Sequence, residues 1–304
     1  MAMQKALHKQ KLAIANAQSM FSQYTNSQMS SPISSFIRLG RDWRQRRKTM
    51  IALKEQKLRE SRQFLHERTR FMNPLQGTSE SSKFETPDGD FWVVKLDVTP
   101  FASTHSVKSI FEALQFQFKH LEITTSEMSG FITVRENDND DSSCTDPSVL
   151  NHRLMTSTPS GLVVEKNCLM FLDNSGIENA TCVADESAFI IMDFVDEDAL
   201  YPYCPSQRVR RDVTAVIKLS THRRKPRRDR DTRVRVANRA QEDEEDNNDL
   251  VIVLTRYFAI KTHHPEFHVP HEEMLSLCED ITCTVETMVR SMVHGAYPSV
   301  VGHQ

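Results

Sequence analysis

The spacing of apolar residues changes period near Phe91, and this switch restricts the fold more than any single motif does. Before it, Asp42 to Phe71 contains neither Gly nor Pro and is built largely of strong helix formers, so one long helix is expected there. Asn73-Pro74 ends it, because the proline ring disfavours helical geometry in the residue before it. After the switch, Phe91 to Val98 alternates as a half-buried strand does, up to Thr99-Pro100. Further strands are expected around Gly130 to Arg135, Arg153 to Ser157, Leu162 to Phe171, Ala188 to Val195, Val213 to Leu219 and Leu250 to Lys261. Pro159-Ser160-Gly161 and Asn174-Ser175-Gly176 mark turns between them.

Two helices interrupt this β-rich stretch. Val107, Ile110, Phe111, Leu114 and Phe118 fall at helical spacing, which predicts a helix over Ser106 to Phe118 with one apolar face. From Pro270 to Ala296, Met274, Leu277, Ile281, Val285, Met288 and Met292 form a stripe, with Pro270 suited to the first turn and Glu272 and Glu273 at the positive end of the helix dipole. That stripe needs a partner surface. A strand, a helix, a run of antiparallel strands and one long amphipathic helix predict an α+β fold, a curved antiparallel sheet packed on its C-terminal helix.

The domain reading follows. Residues 1–40 comprise a Lys-, Gln- and Ala-rich helix and a Ser-rich linker, and residues 41–73 a basic helix. In that helix Ile51, Leu58, Leu65 and Met72 recur every seven residues while Glu55, Arg62 and Thr69 are polar, which is half of a coiled-coil seam. Residues 74–90 read as a linker and 91–298 as one domain. Inside the domain, the charged stretch 221–249 reads as a disordered insertion, basic from Arg223 to Arg239 and acidic from Glu242 to Asp249.

With 304 residues and a hydrophobic share of 38%, part of the chain is expected outside any core, in keeping with a mean hydropathy of -0.49. The net charge of -3 hides the segregation just described. Six cysteines without a C-x-x-C pair point to a reducing compartment. No signal-peptide core and no apolar run of ~20 residues are present, so the expected location is cytoplasmic or nuclear, without a transmembrane segment.

Several residue clusters invite chemistry and favour plainer readings. His263, His264, His268, His271, Cys278 and Cys283 are zinc-ligand types, but Pro265 falls inside the loop spacing, and packing is preferred to metal. Asp138, Asp140 and Asp141 lack the turn glycine and bidentate Glu of a calcium loop. Asp193, Asp196, Glu197 and Asp198 have no local nucleophile or partner His, so a charge-balanced turn with Arg208, Arg210 and Arg211 is the simpler account. Trp43 is expected to contact the globular domain. No catalytic residues, cofactor or metal are predicted.

The stretch Asp193-Phe194-Val195-Asp196-Glu197-Asp198-Ala199-Leu200-Tyr201-Pro202-Tyr203, followed by Arg208-Val209-Arg210-Arg211-Asp212, resembles the START-like domain proteins of oomycetes, a group related to the mating-specific protein family. Leu121-Glu122-Ile123, Ser126-Glu127, Thr133-Val134-Arg135-Glu136, Thr255-Arg256-Tyr257 and His263-His264-Pro265 share the likeness, which covers Phe91 to Pro298. The resemblance implies a helix-grip fold enclosing an apolar ligand such as a lipid, with Phe111, Leu114, Ile281, Val285 and Met288 facing the cavity. It also implies an N-terminal segment like that of basic-zipper factors, although Arg41 to Lys48 lacks the zipper's spaced Asn. The chain is therefore read as a non-catalytic module binding an apolar small molecule, or a protein partner through its N-terminal helix. The alternative is a nucleic-acid-binding regulator using Arg41, Arg44, Arg46, Arg47 and Lys48.

Overall fold

A computed structural model of the chain describes residues 31, 33–101, 106–136, 146–224 and 250–277. The chain divides into two units, Met1–Ser34 and Ser35–Gln304. Of the first unit, residues 31, 33 and 34 are described, and Ser34 N closes a turn on the Ser31 carbonyl at 3.0 Å. The second begins with β1 (Arg38–Leu39), α1 (Trp43–Thr69), β2 (Thr78–Glu85), β3 (Phe91–Phe101), α2 (Val107–Lys119) and α3 (Leu121–Ser129). It continues with β4 (Ile132–Glu136), β5 (Val149–Ser157), β6 (Val163–Asp173), the single turn α4 (Ser175–Glu178) and β7 (Ser187–Phe194). Last come β8 (Glu197–Asp198), β9 (Val209–Arg223), β10 (Leu250–Thr262) and a helical segment over 271–277.

The fold is α+β around one eight-stranded sheet in the order β2-β3-β10-β9-β7-β6-β5-β4. Neighbouring strands are antiparallel, and a short parallel bridge, Val164 with Val209 and Glu165 with Arg210, joins β6 to β9. The first long strand, β3, lies beside the last, β10. Strands β7 and β10 are nearly continuous runs of buried residues, the pattern of strands covered on both faces. Among the described residues, no helix is long and apolar enough to cross a membrane.

One face, the front, carries the even-numbered side chains of β5, β6, β7 and β10 and the odd-numbered ones of β9, because antiparallel partners share a face and neighbours along a strand do not. Against it pack Val107, Ile110, Phe111, Leu114 and Phe118 of α2 and Leu121 of α3, meeting Leu154, Met170, Ile190, Ile217 and Leu254. Ser106 Oγ caps α2 by accepting from Ser109 N at 3.2 Å. α3 ends at Gly130, whose φ of 70° suits a residue without Cβ. Met274 and Leu277 lie on the same face against Val93, Val164, Val213 and Ile260. The expected start of the last helix at Pro270 agrees with the bonds from Glu273 N and Met274 N to the Pro270 carbonyl. Its continuation to Ala296 lies outside the described residues.

The back face is covered by α1, and here the sequence reading needs correcting. Asp42 Oδ1 caps the helix by accepting from Gln45 N at 2.8 Å, and Phe64 meets Tyr257 of β10 edge-on with ring centroids 4.7 Å apart. Leu58 and Leu65, expected on a coiled-coil seam, are buried on the side of α1 that holds Lys57 and Ser61, and Met72 packs on Val98, Val251 and Val253. The partner of Leu58, Leu65 and Met72 is this chain's own sheet, while Ile51 stays 40% exposed. Residues 74–90, read as a linker, contain β2, an edge strand paired with β3 from Thr78 opposite Val98 to Glu85 opposite Phe91. Residues 221–223, assigned to the insertion, complete β9; residues 225–249 and the acidic loop at 137–145 lie outside the described residues. Trp43 stays 43% exposed with Arg44 over its ring at 5.4 Å, so its partner is a guanidinium and not the domain's core.

Candidate functional site

Charge is treated differently on the two faces of the sheet. At the back, Lys57 Nζ donates to Asp193 Oδ2, and both side chains are 1% exposed. Ser35 N and Thr214 Oγ1 complete the site, each 3.1 Å from an Asp193 oxygen. Burial pushes the Asp193 carboxyl above its ordinary range against the pull of Lys57. Arg46 clasps Asp198 with two bonds of 2.5 and 3.1 Å, which together with Asn167 hold that carboxyl below its usual range despite burial. Arg62 binds Asp173, and Arg153 and Arg208 share Glu165 at 3.0 and 3.1 Å. Arg210 donates to the Val195 and Asp196 carbonyls and to Asp212.

The acidic stretch from Asp193 to Asp198 is therefore the dock for residues 35–39. β1 and β8 pair in parallel, Arg38 with Glu197 and Leu39 with Asp198, and Ile37 N donates to Asp196 Oδ2 at 2.7 Å. Sequence proximity pointed to Arg208, Arg210 and Arg211 as the partners of these acids. Asp193, Glu197 and Asp198 instead take Lys57, Arg38 and Arg46, more than a hundred residues away. An open depression of about 750 Å³ beside them is bordered by Arg38, Glu197, Asp198, Arg210 and Asp212. Its charges already answer one another.

At the front, the cavity is smaller and differently built. Phe118, Leu121 and Thr125 of α2 and α3 face Leu154, Thr156, Val164, Met192, Val213, Phe258 and Ile260 across about 90 Å³, with Lys166 and Arg211 in the same wall and no carboxylate among its described residues. The volume falls well below the ~300–1,000 Å³ common for small-molecule sites, because aromatic side chains fill much of the interior. Lys166 has no hydrogen-bond or ion-pair partner among the described residues, and burial, with Arg211 and Arg135 nearby, lowers its pKa from the ordinary value. Arg211 Nη2 donates to the Leu277 carbonyl at 2.7 Å. The other front-face charges, Arg256 and Lys95, have Asp97 at 3.1 and 3.6 Å, and Arg135 has Glu122 at 2.6 Å.

His152, opposite Cys168 on the same face, is 0% exposed and neither ring nitrogen has a hydrogen-bond partner. Burial, reinforced by Arg135 and Lys166, drives its pKa well below the usual histidine value. Burial likewise pushes the Cys168 thiol up.

The expected ligand-facing residues divide. Phe111 and Leu114 are buried where α2 meets the sheet and do not border the cavity, whereas Phe118, farther along the same stripe, does. Ile281, Val285 and Met288 lie outside the described residues, as do Cys278 and Cys283. Of the expected nucleic-acid set, Arg46 is 1% exposed and paired, and Arg47 donates to the Val149 and Asp146 carbonyls at 2.7 and 2.6 Å. Arg41, Arg44 and Lys48 are exposed. His263 bonds to Asp212 at 2.6 Å, and His271 sits against the Phe91 ring with centroids 5.4 Å apart. Lys166 and His152 escaped the sequence reading, although each breaks the apolar parity of its strand, Lys166 between Val164 and Cys168 and His152 before Leu154. No family model matches the chain, and no curated protein matches it.

Proposed function

We propose that the chain is a non-catalytic ligand-binding module of START-like, helix-grip type, taking an apolar molecule between the front of the sheet and its covering helices. The observation that carries this reading is the partly open, largely apolar cavity between that face and α2 and α3. Its setting fits the grip: two helices follow β3, five strands of the large sheet come next, and β10 returns beside β3. At about 90 Å³ the space is smaller than an engineered cavity of ~150 Å³ that admits benzene. A small ligand fits as the helices stand, and a lipid requires them to move apart.

The free thiols Cys168, Cys182 and Cys204 suit a cytoplasmic or nuclear setting. The nucleic-acid alternative has less behind it, since Arg46 and Arg47 spend their donors inside the domain.

Calorimetry of the whole chain against short- and long-chain fatty acids and alcohols, sterols and phospholipids tests the proposal. Binding with a negative heat-capacity change is expected, as apolar surface leaves water. A folded chain that binds none of the panel rules the ligand module out.

A further inference from the structure

Among the described residues, the front cavity combines apolar walls with cationic groups and no anion. The register explains how the cations meet. Because Glu165 pairs with Arg210 across the parallel bridge, the next residues, Lys166 and Arg211, come side by side on the opposite, front face. Both then line one cavity whose other described lining residues are apolar or threonine.

Buried charges in folded proteins are held by opposite charges or by full sets of hydrogen bonds, since an ammonium removed from water without either is destabilising. This chain follows that rule elsewhere. Each of Arg46, Lys57, Arg153 and Arg256, all nearly buried, has a carboxylate partner. Lys166, half-buried in the cavity wall, has none among the described residues, and Arg211 beside it donates to the Leu277 carbonyl. A side chain that breaks the pattern kept by its neighbours marks the place where something outside the chain completes it.

We propose that Lys166 Nζ is the headgroup anchor of this cavity and that the ligand is a short-chain monocarboxylic acid, its carboxylate on Lys166 and its alkyl tail against Phe118, Leu121, Met192 and Phe258. This inference rests on the apolar-ligand reading above and adds charge and size to it. The ammonium has three N–H donors, and a carboxylate that accepts from one of them also neutralises its charge, a charge-assisted bond stronger than a neutral one. Arg211, held by the Leu277 carbonyl, adds positive potential beside it. The volume sets the length: about 90 Å³ is roughly that of three waters in the liquid, enough for a carboxyl group and a few carbons. A free acid fits this volume, whereas an acyl chain anchored in a bilayer does not.

The test is calorimetry on the full chain with butanoate, 1-butanol, octanoate and inorganic phosphate. Butanoate is expected to bind about 10- to 100-fold more tightly than 1-butanol, the range of one charge-assisted hydrogen bond. Lys166→Met should erase that preference while leaving 1-butanol affinity unchanged, and Lys166→Arg should keep most of it. Equal affinities for butanoate and 1-butanol in the parent chain overturn the inference while leaving the apolar-ligand reading intact, and so does a preference that survives Lys166→Met. Phosphate binding as tight as butanoate's overturns the role of the tail, and octanoate binding more tightly than butanoate overturns the size limit. If Lys166→Met fails to fold by circular dichroism, the ratio of acid to alcohol in the parent and in Lys166→Arg still decides. No binding by any alcohol, acid or lipid removes the apolar-ligand reading and this inference together.

Discussion

The space under α1 at the back of the sheet and the cavity under α2 and α3 at its front treat cations differently. Under α1, Lys57 and Arg46 enter the protein together with Asp193 and Asp198, and the pairs fix a helix that is otherwise strongly polar. Under α2 and α3, the packing is apolar, and Lys166 stands beside it without an answering carboxylate among the described residues. The back face spends its charges on holding the chain together. The front cavity leaves Lys166 without a carboxylate among the described residues.

Breaking a pair at the back gives the largest expected effect. Lys57→Ala leaves Asp193 buried without its cation and should cost about 3–5 kcal/mol, the usual loss when one partner of a buried pair is removed. Urea denaturation measures it, and a loss below about 1 kcal/mol, the range of exposed pairs, would mean that α1 is not held in this way.

At the front the sign reverses. Lys166→Met removes an uncompensated charge from an apolar wall and should raise stability of the ligand-free chain by on the order of 1–3 kcal/mol. Because the folded pKa of Lys166 is lowered, its neutral form gains population as pH rises, and the advantage of Met should shrink in alkaline solution. Urea melts at neutral and alkaline pH compare the two proteins. Destabilisation by Met at neutral pH would show that Lys166 has a structural partner.

His152 gives a smaller, pH-dependent contrast on the same face. Its folded pKa lies well below the ordinary 6.5, so below pH 6.5 the unfolded chain takes up a proton that the folded chain refuses. Stability contributed by the neutral ring is complete above 6.5 and falls as the pH drops towards the folded pKa, with a slope of up to ~1.4 kcal/mol per pH unit. Thermal melts between pH 7 and 5 should show a shallower loss for His152→Leu than for the parent. His222, whose pKa is lowered by burial and then by Lys218, titrates in both proteins and cancels in the difference. Parallel curves would mean that His152 is solvated.

Local pattern carried much of the architecture. The stripe from Val107 to Phe118 announced α2 because amphipathic spacing reflects one covered face, and the Gly- and Pro-free run announced α1. By contrast β2, Thr78–Glu85, has a single apolar residue, Phe84, and belongs to the sheet through backbone bonds to β3 that its side chains do not advertise. α3 was missed for its length and its threonines, which give a weak helical signal. The candidate site was less legible. Phe111 and Leu114 were rightly placed on an inward stripe, but only packing separates a filled interface from a cavity, and here that boundary falls at Phe118.

By itself the sequence determined the period of each segment, hence where helices and strands form, because backbone hydrogen bonding and side-chain alternation are settled within a few residues. It also determined that α1 is basic and that the acids from Asp193 to Asp198 sit together. Only the tertiary structure decided what those charges mean. Lys57 finds Asp193 across 136 positions of chain, whereas Lys166, no less ordinary a lysine in the sequence, turns into an apolar wall. The energy of a charge depends on what lies across a few ångströms of space and on how much water remains there, and neither is a property of its neighbours along the chain.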